Sequence, residues 1–342
     1  MKIACHFTIP RPPRPELDAA IQDGLQIMTK VGGEINFLYP GTKARIFFPR
    51  FMSGFQQLPQ LMKLDRTVDI HHVFSNGFYP YPIFSVLRKP VIISNVIGLQ
   101  QNKPIKFPFI LRKIRRFIVP SEHDRQIMQT WGYRNVQVVI PGIDLTKLTA
   151  HPPVAVREKF ILLMGSAPWT MEQFSTKGVD LLLHVVKELP WLEIIFLWRG
   201  LFLKEMVQRI AAAGVQRQVT LITEQITVND ILADVHAAIL LARDMEVVKP
   251  YPHSILEALA AGKPVIVSDC LQISEFIKNT CSGKIISTMK SEHLKTTITA
   301  LKNRYAHYCA SIRATSLDAF SSVQMVDDYT KLYQQILHEK KM

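Results

Sequence analysis

The chain has 342 residues, enough for two domains that each bury a core of their own. Forty-one Lys and Arg against 28 Asp and Glu give a formal net charge of +13, which asks for anionic partners: phosphates, a membrane surface or nucleic acid. Cys5, Cys270, Cys281 and Cys309 form no C-x-x-C pair and have no histidine at ligand spacing, so neither a zinc site nor a disulfide scaffold is indicated, in keeping with a reducing compartment.

No apolar run approaches the roughly 18 residues that a membrane span needs, and Met1 to Pro10 has too short an apolar core for a signal peptide. The expectation is a cytoplasmic protein, peripheral at most on the inner face of a membrane. Short apolar strands alternate with amphipathic stretches, the pattern of a parallel sheet covered on both faces. Ile3-Phe7 reads as a strand, Leu17 to Lys30 as a helix closed by Gly32-Gly33, and Ile35-Tyr39 as the next strand. Asp69 to Phe74, Val91 to Asn95, Phe117 to Val119 and Val136 to Ile140 continue the series. Within it, Phe107 to Phe117 reads as a helix with Arg112, Arg115 and Arg116 on one face and Leu111 with Ile114 on the other. With Lys113, these arginines suit docking on an anionic lipid surface.

The Pro-rich polar stretch His151 to Arg157 has the composition of a linker, and the domain boundary is expected there. The pattern then restarts with strand Phe160-Met164, ending at Gly165. Lys177-Gly178-Val179-Asp180 leads into a helix, followed by strand Glu193-Leu197, a helix ending near Gly214 and strand Val219-Ile222. Ile231 to Arg243 brings the chain to its most legible stretch, Lys249 to Asp269, which reads as loop, helix, tight turn and buried strand. Pro252 sits where a helix starts, Ser254 and Glu257 have the S-x-x-E spacing of a capping box, and Gly262 closes the helix. The exposed N-terminus of that helix is an anion site, so a phosphate-bearing ligand is the natural guest.

Ile255 to Asp269, with its L-E-A-L-A-A-G-K-P-V-I-V-S-D run, resembles the nucleotide-binding segment of retaining glycosyltransferases of the GT-B fold, the large family of bacterial mannosyl- and glucosyltransferases. Glu275 falls where the family's "PE" glutamate falls, and Val119-Pro120-Ser121-Glu122 with Val138 to Asp144 resembles the close of the family's N-terminal domain. The resemblance covers essentially the whole chain. It implies an α/β protein of two Rossmann-like domains facing across a cleft: residues 1–152 for the acceptor, 153–322 for the nucleotide sugar, and 323–342 as a helix crossing back to the first domain.

The family's site transfers residue by residue. Lys177 matches the lysine that meets the departing diphosphate, and Glu257 the carboxylate that accepts from ribose hydroxyls. Ser254 and Ile255 are expected to offer backbone N–H groups to phosphate, helped by the turn at His253, and Gly165 lies where the first strand of the second domain meets the ligand. The family's arginine just after that strand is here Ser166, and its first glutamate is Lys249. Three readings of Lys249 stay open: a second cation replacing the missing arginine, a partner for an acidic donor sugar, or a mark of lost catalysis. Arg199 is a further candidate cation. No metal and no cofactor are implied beyond the nucleotide-sugar donor.

In the first domain the family's Gly-rich loop is the stiff, basic Ile9 to Pro15, in which Arg11 and Arg14 are candidate phosphate contacts. The histidine of the family's V-H-G turn falls at Ile97, before Gly98, and His72 lies on a strand matching D-V-V-H, so His72 and Gly98 are acceptor-side candidates. The expected activity is metal-independent, retaining transfer of a sugar to a glycan or lipid-linked acceptor, in cell-envelope or exopolysaccharide synthesis. The alternatives are a nucleotide- or glycan-binding module of the same fold and a nucleotide-sugar epimerase. Nucleic acid is not expected as a partner, because the basic residues are scattered and no basic-aromatic platform appears.

Overall fold

Runs of β-branched and other apolar residues too short for helices pair in parallel, and the stretches between them supply the covering helices. The computed structural model describes residues 1–9, 11, 21–38, 54–78, 81–99, 108–198, 201–224, 226–245 and 247–339. They form two compact units, one of Met1–Gly142 with Ala319–Met342 and one of Ile143–Asp318.

The first unit runs β1 (Ile3–Phe7), α1 (Gln22–Val31), β2 (Gly33–Phe37), α2 (Leu58–Leu64), β3 (Ile70–Ser75), β4 (Val91–Asn95), β5 (Ile114–Val119), α3 (Glu122–Thr130) and β6 (Val136–Val138). Its parallel sheet has the order β2-β1-β3-β4-β5-β6. Successive residues bury on opposite faces, as a strand's period of two requires. Ile70, Phe74, Ile92 and Ile118 pack on one side with Ile27 of α1, whereas Val73, Ile93, Phe117 and Val119 pack on the other with Leu61, Ile127 and Met128.

The second unit runs β7 (Phe160–Met164), α4 (Gln173–Thr176), α5 (Val179–Glu188), β8 (Leu192–Leu197), α6 (Leu203–Ala213), β9 (Val219–Ile222), α7 (Val228–Asp234), β10 (Ala237–Leu240), α8 (His253–Ala260), β11 (Val265–Ser268), α9 (Ile273–Thr280), β12 (Gly283–Ile286), α10 (Ser291–Asn303) and α11 (Tyr305–Arg313). Its sheet has the order β12-β11-β10-β7-β8-β9. The chain winds outward from β7 in one direction and then resumes at β10 on β7's other side, so the order reverses between β7 and β10. In open α/β sheets that reversal opens a crevice at the strands' carboxyl ends. Finally α12 (Ser322–Glu339) returns to the first unit, where Tyr329, Leu332, Tyr333 and Ile336 are buried. Among the described residues no helix is long and apolar enough to cross a membrane.

Several elements differ from the sequence reading. From residue 108 on, the expected 107–117 helix is not one: Pro108–Lys113 is a 3₁₀ turn and Ile114 onward is β5, and residue 107 lies outside the described ones. The Ile114-Arg-Arg-Phe-Ile-Val run is flanked by β4 and β6, and sheet pairing outweighs the accidental helical spacing of its arginines. Arg112, Lys113 and Arg115 are exposed, but not as one helical face, and Glu339 of α12 pairs with both Arg115 and Arg116. Strand β2 begins two residues early, at Gly33, because its register with β1 starts at Ile3. The Leu17 to Lys30 helix is seen from Gln22; residues 17–20 lie outside the described ones.

Both faces of the first sheet also bury histidine. His6 Nε2 meets His71 Nδ1 at 2.9 Å, and His71 Nε2 reaches Asp65 at 3.1 Å. On the other face His72 binds the Tyr333 hydroxyl and Ser94 Oγ, each at 2.7 Å, and Ser94 in turn meets Tyr329 at 3.0 Å. Burial lowers the pKa of all three histidines, that of His72 to about 3. The unfolded chain therefore takes up protons below the ordinary 6.5 that the folded chain refuses, so stability is full above that pH and is lost as pH falls toward 3. Chemical denaturation between pH 7.5 and 5 should show a loss of up to about 1.4 kcal/mol per pH unit for each histidine that stays neutral. His72→Gln, which keeps hydrogen-bonding capacity without titrating, should reduce that slope; an unchanged slope would remove His72 from the account.

Candidate nucleotide-sugar site

The carboxyl ends of β7 and β10 collect the second unit's candidate residues. Beyond Met164 the chain leaves β7 through Gly165 and Ser166, and after an irregular loop Lys177 caps the short helix α4. Lys177 is only 3% exposed. Its ammonium donates to Ser166 Oγ and to the Ala167 carbonyl, both at 3.1 Å. Two of its three N–H bonds are thus fixed by the loop it closes, and one remains to direct at a ligand. Burial among few other polar groups brings its pKa down to about 8, so the group is cationic at neutral pH yet costly to leave uncompensated.

Helix α8 reaches the same place from the β10 side. Pro252 is its N-cap, with no side-chain oxygen to give, and His253 is its first helical residue. The helix starts too early for a capping box: Ser254 stands inside the first turn, and no side-chain cap bond forms. The Ile255 N–H is likewise occupied, by the Pro252 carbonyl at 3.0 Å, and its side chain is 1% exposed, so Ile255 is a packing residue. Of the two backbone donors expected for phosphate, that of Ser254 remains. Glu257 is half-buried one turn further on, on the face of His253 and Ser254. At the other end Gly262 takes φ +76°, and its N–H and that of Lys263 return to Leu259 and Ala258 in a Schellman turn that needs glycine there.

The two arms of the site touch. A Cβ on Gly165 would lie 2.9 Å from the Ser254 Cβ, so glycine lets the end of β7 come against the first turn of α8. Lys249 is half-buried ahead of that helix, and its charge, after burial, is the second cause that lowers the His253 ring to about 3. His253 is therefore neutral, and the charged groups gathered from the sequence candidates are Lys177, Lys249 and Glu257. The end of β10 is tied in twice, by the Ala242 N–H to Ser268 Oγ at 2.9 Å and by the Arg243 N–H to the Thr176 carbonyl at 2.8 Å, next to Lys177. Reasoning from sequence misses Arg243, whose only signal there is a position three residues beyond a buried strand.

The remaining candidates are not brought together. His72 is fully buried with both ring nitrogens engaged, which makes it a packing residue of the first sheet and corrects its expected place beside an acceptor. Gly98 is buried in the segment after β4, where the neighbouring Leu99 N–H binds Asp124. Arg11 is exposed, and Arg14 and Arg199 lie outside the described residues.

Gly165→Ala should cost about 1–3 kcal/mol of stability through overpacking against α8. Most of that loss should return when Ser254 is also changed to glycine, measured by chemical denaturation. A silent Gly165→Ala would show that the close approach is not needed.

Residues 170–314 match the family model of glycosyl transferases group 1. No curated protein matches the chain. Among solved structures the chain resembles HepE of Anabaena in complex with UDP, at 15% identity and a TM-score of 0.73 over 98% of this chain and 100% of that one. Sucrose-phosphate synthase of Thermosynechococcus elongatus is similar at 12% identity and 0.71, covering 99% and 100%. WaaG, a glycosyltransferase involved in lipopolysaccharide biosynthesis, is similar at 13% and 0.68, covering 95% and 98%. With the two parallel six-stranded sheets described above, these likenesses give the chain the GT-B fold, and the stretch that matches glycosyl transferases group 1 lies within its second unit.

Proposed function

We propose that the chain moves a sugar from a nucleotide-diphosphate sugar to a glycan or lipid-linked acceptor, with retention at the anomeric carbon and with side-chain cations in place of a metal. The observation that carries this reading is Lys177, a buried ammonium oriented by Ser166 and Ala167 at the crevice between β7 and β10. As the bond from the anomeric carbon to the diphosphate oxygen breaks, its electron pair stays on the diphosphate. A fixed cation in a site with little water stabilises that charge without having to reorganise. The acceptor hydroxyl then bonds to the anomeric carbon and passes its proton to the departing diphosphate oxygen. In this reading Lys177 faces the diphosphate, the Ser254 N–H assists it at the helix start, Glu257 accepts from the ribose hydroxyls, and Lys249 adds positive charge ahead of the helix.

Two findings about similar proteins direct the first assays. HepE has been solved with UDP-glucose, at 13% identity to this chain, which favours a uridine nucleotide as donor. WaaG is involved in lipopolysaccharide biosynthesis, which favours a cell-envelope glycan as product. A cytoplasmic protein working against the inner face of a membrane suits such an acceptor. The exposed Arg112 and Lys113 ahead of β5 would suit an anionic headgroup. The binding-module reading keeps one observation in its favour: Ser166 and Lys249 stand where the family has Arg and Glu.

Thermal-shift titration with UDP, GDP, ADP and dTDP and their common sugars, without added metal, tests the donor site. One nucleotide should stabilise the protein, Lys177→Ala should abolish the effect, and Glu257→Ala should weaken binding by about 1–3 kcal/mol. Affinity should hold below pH 7 and fall as pH rises through about 8, where Lys177 loses its proton in the free protein; Lys177→Arg should flatten that fall. No shift with any nucleotide would overturn the donor assignment. Binding without transfer or donor hydrolysis would favour the binding module. Lys249→Glu should lower turnover if Lys249 is a cation for the diphosphate, and a gain in turnover would reject that role.

A further inference from the structure

A diphosphate leaving a sugar carries more negative charge than one ammonium offsets, and the loop that leaves β7 brings Lys177 to the crevice but has an uncharged serine at position 166. The fold brings another cation from the neighbouring strand. Arg243 follows β10, which lies beside β7, and its N–H donates to the Thr176 carbonyl at 2.8 Å, one residue from Lys177. Its guanidinium donates through one terminal nitrogen to Ser175 Oγ at 2.9 Å, and the residue is otherwise exposed to solvent. An arginine is thus held at two points against the helix that Lys177 caps, with its charged end facing water.

We propose that Arg243 is the second half of a diphosphate clamp, binding the phosphate oxygens of the nucleotide together with Lys177; this rests on the donor reading above. Arginine suits such a clamp, because its planar fork presents paired N–H donors that match two phosphate oxygens, stays charged at every relevant pH, and loses little freedom when already anchored. Lys177, buried and with a lowered pKa, is a point charge that weakens above pH 8. The arrangement accounts for how the site accepts serine at position 166. The hydroxyl orients Lys177, and the guanidinium arrives from β10 instead of from the loop after β7.

The clamp predicts a specific preference, for nucleoside diphosphate over the monophosphate of the same base. Calorimetry on the full chain would compare UDP, GDP, ADP and dTDP with UMP, GMP, AMP and dTMP, for wild type, Arg243→Gln, Arg243→Lys and Lys177→Ala. For the base that binds, Arg243→Gln should weaken the diphosphate about tenfold while moving the monophosphate less than about threefold, and Arg243→Lys should restore part of the difference. The backbone tie from the residue 243 N–H to the Thr176 carbonyl survives either substitution, and melting temperature without ligand reports any purely structural effect of losing the Ser175 bond. A role confined to holding α4 would lower the melting temperature and leave the diphosphate-to-monophosphate ratio intact, and that result overturns the proposal. So does an unchanged ratio in Arg243→Gln alongside its loss in Lys177→Ala. Failure of wild type to bind any diphosphate would instead strike the donor reading itself and remove this inference with it.

Discussion

A lysine ammonium that is 3% exposed is the constraint on which the second unit's site depends. Removing that charge from water is expensive, and the loop between β7 and α4 compensates by presenting the Ser166 hydroxyl and the Ala167 carbonyl to it. These two bonds fix where the loop runs and where the third N–H of Lys177 can point. They also leave the cation incompletely neutralised. A buried, partly compensated cation at the mouth of a parallel sheet has a use for an anionic ligand that a solvated surface lysine lacks.

The elements around that cation are shaped to let the two arms of the site meet. Gly165 removes the side chain that would hold α8 away, and the Ser254 Cβ fills the space instead. Pro252 starts α8 without capping it, which leaves the Ser254 N–H available, while the Schellman turn at Gly262 satisfies the carbonyls of the far end. The helix is therefore finished where it is buried and unfinished where a ligand would sit. Ala242 and Arg243 complete the ring by tying the end of β10 to both β11 and α4.

The first unit answers a different problem, a six-stranded sheet with apolar side chains on both faces and polar ones among them. His6, His71 and His72 are tolerated because each ring finds a partner within the fold: Asp65 below one face, and Ser94 and Tyr333 on the other. Tyr333 comes from the last helix of the chain, which makes α12 part of this core. Polar pairs inside an apolar layer specify position as well as add stability, since a shifted helix would strand both the tyrosine and the histidine.

The sequence by itself determined the alternation of strand and helix, the two parallel sheets that this alternation demands, and the helix–turn–strand unit around Glu257 and Gly262. Those features are local: period-two apolar runs, a proline at a helix start and a glycine at a helix end act within a few residues. It also marked Lys177, but only through likeness to a family. The tertiary structure decided what depended on partners distant in sequence. Phe107 to Phe117 has helical spacing, yet neighbouring strands β4 and β6 draw its second half into the sheet. His72 matched a motif, yet Tyr333, 261 residues away, claims its ring. Ser254 and Glu257 had the spacing of a cap, yet a helix beginning at His253 put the serine too far in. Arg243 carried almost no local signal. Its nearness to Lys177 follows from β10 lying beside β7, and a strand order is set by the packing of whole helices against the sheet rather than by any residue's neighbours in the chain.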